Sequence, residues 1–277
     1  DFDPAELKPK IEALFGPLQP SIVPSHTAVR EIRQVQQKRQ VLEDQVPSPA
    51  LVMAWHSPNY FAEGDADLDV LANVLAGHAA ARLDARLVYG DGQALETWVG
   101  QLSAKRGSTF LVWIQAEPDA DLGAIEAVVV EEIAALAGEN PATQDELAIA
   151  LNDREMGFLT GLEGLLDRAE ALQSYAYYVG GEYGPAEDME RYRAVTSESL
   201  KAVIEEWLSP DNVAVIEVYP KASRVLDLSR EGRTAQQLSV LAHFDDGSVR
   251  DVTRIATYGT SHDEVATVGP RGLVTAH

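Results

Sequence analysis

The sequence predicts an α+β fold, an antiparallel sheet with helices on one face, followed by a partial all-β sandwich. Three observations carry this. Strand-like runs between residues 49 and 116 come before a group of helix-periodic segments that ends in one more strand, so helices are grouped instead of alternating with every strand. At 277 residues the chain exceeds the usual size of one domain. From about Ser223 the texture changes to short strands separated by turn residues, the pattern of a β-sandwich that, at about fifty-five residues, is expected to be incomplete and to lack its last strand.

Each element has its own signal. Leu7, Ile11, Leu14 and Phe15 recur at helical spacing, and Gly16-Pro17 stops the run. Residues 19–48 mix Pro, Ser, Gln and both charge signs without a period and read as a linker. "PALVMAWHSP" is a continuous apolar run between prolines, hence a buried strand. Asp65 or Asp67 is placed to cap a helix predicted over residues 65–86, with Leu68, Leu71, Ala72, Leu75 and Ala79 in one stripe toward Leu83. After a Gly90-Asp91-Gly92 turn, "ALETWVGQL" and "STFLVWIQA" form a hairpin through Lys105-Arg106-Gly107.

Leu122, Ile125, Val129, Ile133 and Leu136 mark the next helix, which Gly138 ends. Thr143 with Glu146 three residues on is a capping box that opens a helical stretch to about residue 178. Leu200, Val203, Ile204, Trp207 and Leu208 mark a last helix, and "NVAVIEVYP" closes the unit as a strand. Beyond it "QLSVLAHF", a tight turn at Asp245-Asp246-Gly247, "SVRDVTRIATY", "EVATV" and "LVTA" read as short strands.

Composition excludes several functions. The hydrophobic share of 45% and charged share of 24% are those of a globular protein. A net charge of −22 repels phosphate backbones and anionic membrane surfaces, so nucleic acid is not an expected partner. The charge is uneven: residues 221–277 carry 7 acids and 7 bases, leaving 37 acids against 15 bases in residues 1–220. Without Cys there is no thiol nucleophile, thiolate metal site or disulfide. No apolar run approaches the roughly 18 residues of a membrane span. "DFDPAELKPKIEALFGPL" starts like the interior of a domain, and a targeting segment is expected upstream of it.

The chain's chemistry is sparse. Its six His (His26, His56, His78, His243, His262 and His277) show no metal-ligand spacing, so no metal site and no catalytic residue is expected within it. His78 reads as a surface or partly packed imidazole on the helix of residues 65–86. There is no Gly-x-Ser-x-Gly, and "YGDGQ" lacks the spacing and Lys of a phosphate loop. Tyr175, Tyr177, Tyr178 and Tyr183 either line a peptide groove or, the plainer reading, pack helix against helix or sheet with hydroxyls reaching water. Glu131-Glu132 and Glu205-Glu206 read as solvated surface.

The order of elements and several local runs resemble the pitrilysin/insulinase family of zinc metallopeptidases, the group that includes mitochondrial processing peptidase. "DFDPAELKPKIEALFGPL" looks like the tail of one family domain, and residues 49–220 look like the next. "LANVLAGHAAARLDARLVYGDGQAL" is similar to the family's helix and turn, "ELAIALNDREMGFLTGLEGLLDRAEALQSYAYYVGG" to its long helical pair, and "ERYRAVTSESLKAVIEEWLSPDNVAVIEVYP" to its closing helix and strand. The resemblance implies zinc in a partner domain carrying an inverted His-x-x-Glu-His motif, none of which is present in this chain. It also implies a substrate-holding Arg and Tyr seven positions apart. Aligning Arg82-Leu83 with the family's Arg-Leu puts Val88 and Leu95 at those two places. Residues 223–277, through "DDGSVRDVT" and "GLVTA", resemble a bacterial Ig-like domain of the second group.

These resemblances imply the non-catalytic half of a bacterial zinc metalloendopeptidase, with Arg82, Val88 and Leu95 at the substrate-binding position. The half would form a chamber wall and peptide-binding surface for a catalytic half upstream in the same polypeptide or in a separate subunit. The implied location is the periplasm or another extracytoplasmic site. The alternative is a degenerate peptidase-like scaffold carrying an Ig-like surface module, which the apolar Val88 and Leu95 favour.

Overall fold

The structure is a computed structural model describing residues 2–19, 21, 36–44, 46–180, 184–220, 235–238, 240–243, 249–260 and 264–276. It separates into two compact units, Asp1–Tyr219 and Pro220–His277. In the first, helix α1 (Pro4–Phe15) is followed by strands β1 (Lys38–Asp44) and β2 (Ala50–Ser57), then α2 (Asp65–Leu75), a π-helix (Asp84–Gly90), β3 (Ala94–Leu102) and β4 (Ser108–Ala116). Helices α3 (Leu122–Ala137), α4 (Gln144–Gly161), α5 (Leu165–Val179), α6 (Pro185–Arg193) and α7 (Ser197–Trp207) lead to β5 (Ala214–Pro220).

The five strands make one sheet in the order β1-β5-β2-β4-β3. β2 runs antiparallel to β4 and β5, and β3 antiparallel to β4. The expectation of a wholly antiparallel sheet needs one correction. The Lys38 N–H donates to the Val213 carbonyl at 3.0 Å, joining the start of β1 to the start of β5. Strands whose starts meet run the same way, so β1 is parallel to β5 and the sheet is mixed. β1 itself lies within residues 19–48, the span read as linker. All seven of its residues are exposed, so it carries no inside–outside alternation for a sequence reading to find.

Alternation elsewhere decides the packing. On β2, Leu51, Met53 and Trp55 point to the helices, as do Phe110, Val112, Ile114 and Ala116 on β4. Leu68, Leu71 and Leu75 of α2, Ile125 and Val129 of α3, and Leu200 and Ile204 of α7 belong to the same core. Each such side chain stabilises the fold by about 1.5–3 kcal/mol. Among the described residues helices cover this face alone. The other face presents intermediate or exposed side chains on β2, β3 and β4.

The helix expected over residues 65–86 stops at Leu75. Ala76 turns extended and Gly77 takes φ 109°, a conformation open to glycine. The cause lies downstream: the buried Asp84 carboxylate accepts from the Gly77 N–H (2.7 Å) and the Thr97 hydroxyl (2.7 Å), pulling the chain into a loop against β3. Ala79 therefore lies exposed beyond the helix, and His78 is in that loop instead of on a helix. Neither Asp65 nor Asp67 caps α2, whose N-cap is Gly64; Asp65 is its first residue. The stretch opened by Thr143 keeps its capping box, with the Glu146 N–H donating to the Thr143 hydroxyl (3.2 Å) and the Thr143 N–H to Glu146 (2.8 Å). It divides at Gly161–Gly164 into α4 and α5.

In the second unit β6 (Ala235–Gln237), β10 (Leu273–Ala276) and β9 (Ala266–Val268) form an antiparallel sheet in that order, and β7 (Leu241–His243) pairs antiparallel with β8 (Val249–Asp251). The turn expected at residues 245–247 and Tyr183 lie outside the described residues.

Replacing Asp84 by Ala strands the buried Thr97 hydroxyl and releases the Gly77 N–H from the loop, so Asp84→Ala is expected to lose about 1–3 kcal/mol of unfolding free energy in urea. Thr97→Val in that background should add little; a fully additive loss would separate the two groups.

Candidate functional site

The stretch from Gly77 to Leu102 carries the three residues expected at the substrate position, and the structure gives each a different setting. Arg82 precedes the π-helix with only 8% of its side chain exposed. Its Nε and Nη2 donate to the two Glu146 carboxylate oxygens at 2.8 and 3.0 Å, and its Nη1 to the Asn140 carbonyl at 2.8 Å. That guanidinium clamps the start of α4. Arg86 reaches Glu131 (2.8 Å) and Glu132 (2.9 Å) on α3; Glu131 is exposed, as its solvated reading has it, while Glu132 is largely covered, and both hold the cation. An open depression of about 580 Å³ runs between Arg82, Arg86, Glu132 and Glu146, bordered by charges that are already paired.

Val88 lies within the π-helix and is half-buried against the core. Leu95 sits at a bulge in the first residues of β3 and is 48% exposed. Arg82 is thus committed to α4, Val88 to packing, and only Leu95 faces solvent. A π-turn often marks a functional place in a helix. Here its neighbouring polar groups fasten helices to one another.

β3 ends the sheet, and its outer edge has no neighbouring strand among the described residues. Among the described residues no backbone hydrogen bond outside the β4 ladder involves residues 94–102. The other edge strand, "KRQVLED", is charged at both ends, and Arg39 binds Glu126 of α3 and Glu217 of β5. Charge of that kind protects an edge from pairing. β3 carries one charged residue in nine, Glu96.

The register aligns an apolar row across the open face. Ile216 of β5 pairs with Val52 of β2, Val52 with Trp113 of β4, and Trp113 with Trp98 of β3. Trp98 is 42% exposed. Its ring lies over Gly100, where an added Cβ would come within 2.6 Å of the indole.

A second arrangement was hidden in the sequence, because its members are far apart along the chain. Asp65, fully buried, accepts from the Phe61 N–H (2.9 Å), Gln101 Nε2 (2.7 Å), the Ser103 hydroxyl (3.2 Å) and Arg191 Nη2 (3.0 Å). Arg191 also binds Asp188 (3.1 Å), which accepts from the Tyr175 hydroxyl (3.1 Å). Phe61 adopts φ 64°, rare for a bulky residue. Its ring lies 4.1 Å from that of Tyr60 and 4.7 Å from the Arg191 guanidinium. Tyr178 packs edge-on against Tyr60. Tyr175 and Tyr178 thus pack as the plainer reading expects, except that the Tyr175 hydroxyl is buried on a carboxylate instead of reaching water.

Nearby, Asp69 of α2 accepts from the Tyr192 hydroxyl at 2.8 Å, and Arg154 of α4 lies 3.9 Å from Asp69 and also donates to that hydroxyl. Burial raises the Asp69 carboxyl to about 6, against the pull of Arg154 and of the Tyr192 hydrogen bond. Asp65 is raised too by burial, with Phe61 and Arg191 opposing. These groups tie α2, α4 and α6 together. Among the described residues no group of three or more His, Cys, Asp or Glu is placed to hold a metal ion. No helix among them is long and apolar enough to cross a membrane.

Comparison with known proteins bears on this geometry. A family model described as "Peptidase M16 inactive domain" matches residues 1–153. No curated protein matches the sequence. The fold is similar to a protease from Helicobacter pylori (18% identity, TM-score 0.70, 79% of this chain and 54% of that one). It is also similar to a peptidase M16 inactive domain from Pseudomonas fluorescens (18%, 0.60, 80% and 52%). The periplasmic protease PqqL from Escherichia coli is a further neighbour (14%, 0.59, 80% and 24%). The chain spans about half the length of the first two and a quarter of the third.

The buried carboxylates give a pH signature. With a folded pKa near 6, above its unfolded value, Asp69 binds more protons in the native state, so its contribution to stability falls as pH rises from about 4 to 6. Relative to Asp69→Asn, the wild type should lose about 1–3 kcal/mol of unfolding free energy between those limits. A pH-independent difference in urea melts would show that Arg154 and Tyr192 cancel the effect of burial, and a wild-type stability that rises with pH relative to Asp69→Asn would show that they outweigh it.

Proposed function

The chain belongs to the family of peptidase M16 inactive domains, and on that premise we propose that it is the non-catalytic half of a zinc metalloendopeptidase, forming a chamber wall and a pairing edge for extended peptides. The observation that carries this is the sheet's asymmetry: one face covered by helices, the other uncovered among the described residues and crossed by an apolar row, and β3 ending the sheet. An extended peptide needs only main-chain N–H and C=O groups to add a strand to such an edge. The described residues do not fit zinc, so the metal and its activated water belong to the catalytic half, in the same polypeptide or a separate subunit. Val88 and Leu95 have no donor to offer a developing oxyanion, which leaves this chain the work of holding substrate. A periplasmic or other extracytoplasmic location is supported by the likeness to PqqL, a periplasmic protease.

The second reading is a peptidase-like scaffold without a role in turnover, with residues 223–277 as an Ig-like surface module. It is favoured by the commitment of Arg82 to Glu146 and by the apolar pair Val88 and Leu95. The two readings part in one experiment. Incubated with zinc and a mixed peptide library, the full chain alone should give no chelator-sensitive hydrolysis. Added to a catalytic His-x-x-Glu-His half, it should raise cleavage, and Val88→Arg with Leu95→Tyr should change that rate. Chelator-sensitive cleavage by the chain alone would overturn the non-catalytic assignment. No change in the partner's rate with either form would leave the scaffold.

A further inference from the structure

We propose that the open side of β3 selects its peptide, favouring a basic residue and an apolar or aromatic residue two positions apart. This rests on the reading of β3 as a pairing edge and adds what that edge recognises. Successive side chains of a strand point to opposite faces, so a peptide paired with β3 sets every second side chain on the open face. There it would meet, in order, Glu96, Trp98, Gly100 and Leu102, the open-face residues beyond the bulge.

Each of these positions asks for something different. Glu96 is exposed and is the only charge on β3, and the chain's net charge of −22 adds a field that attracts cationic peptides. Trp98 offers an indole lying over Gly100, with Trp113 its cross-strand partner on β4 in the row that continues to Val52 and Ile216. Gly100 has no side chain, and the Trp98 ring occupies the space above it, so this position sets no demand of its own. Leu102, 58% exposed, offers a second apolar contact. The same field argues against a second copy of the chain as occupant, since two Glu96-bearing edges on two −22 chains repel.

The preference follows from the period of two. A peptide with Lys and Phe two apart puts both on the open face. One with Lys and Phe adjacent puts them on opposite faces and satisfies only one contact.

The test uses the full chain and the heptapeptide Lys-Thr-Phe-Thr-Ser-Thr-Val together with its reversed sequence, since the edge accepts either direction. The control is Lys-Phe-Thr-Thr-Ser-Thr-Val, and a third form is N-methylated at alternate amides along its pairing edge. Calorimetric Kd values should be about three- to fivefold weaker for the control, the size of one cross-strand pair. Trp98→Ala should erase that difference. Gly100→Ala, which keeps the indole but displaces it, should reduce it, and Glu96→Gln should weaken the preference for Lys over Thr and reduce its salt dependence, the part left being that of the chain's overall field. Thermal melts of each variant report whether the fold survives.

Equal binding of spaced and adjacent peptides, or unchanged discrimination in Trp98→Ala, would overturn the selectivity. Loss of binding on N-methylation would in that case leave the pairing edge intact. Undiminished binding of the N-methylated form, or no binding of any peptide with the chain self-associating in sedimentation, would overturn the pairing edge and this inference with it.

Discussion

One-sided burial of the sheet is the constraint from which the rest follows. β2 and β4 alternate strictly, so their inner residues, Leu51, Met53, Trp55, Phe110, Val112 and Ile114, require a cover of helices, and α2, α3 and α7 supply it. The same alternation turns Val52, Leu111 and Trp113 outward as half-buried side chains with no helix above them among the described residues. A sheet built in this way has an apolar surface to spare. Interaction surfaces are the usual reason a protein keeps one.

The charges do a different job from the one that net charge suggests. Although acids outnumber bases two to one, several arginines near the sheet are engaged by carboxylates of the chain itself: Arg39 on Glu126, Arg82 on Glu146, Arg86 on Glu131 and Glu132, Arg191 on Asp65 and Asp188. Where the family resemblance expects polar groups directed at substrate, this chain fastens helices and leaves apolar side chains. In the proposed reading the result is a support that would act on substrate through shape and main chain. Membership of a family of inactive domains agrees with that division of labour.

Much of this was legible in the sequence, and the rest was not for identifiable reasons. The Thr143–Glu146 capping box, the β3–β4 hairpin and the stripe of α3 are local patterns, and the structure contains all three. β1 was missed because every side chain on it is exposed. The end of α2 was missed because small apolar residues continue past it, and the break is set by Asp84 reaching back to Gly77. The parallel pairing of β1 with β5, the Ile216–Val52–Trp113–Trp98 row and the Asp65–Arg191 network join residues distant in sequence, and only the fold brings them together. At the candidate site the residues were named from the sequence, but Arg82's engagement with Glu146 was not.

The central claim is that β3 ends the sheet with main-chain groups open to a ligand. Residue-resolved amide hydrogen exchange across residues 94–102 tests it most directly. The account predicts alternation in the free chain, with amides facing β4 protected and those on the outer edge exchanging fast, and slowing of the outer set alone when an extended peptide is bound. Uniform protection in the free chain, or outer amides indifferent to peptide, would contradict it.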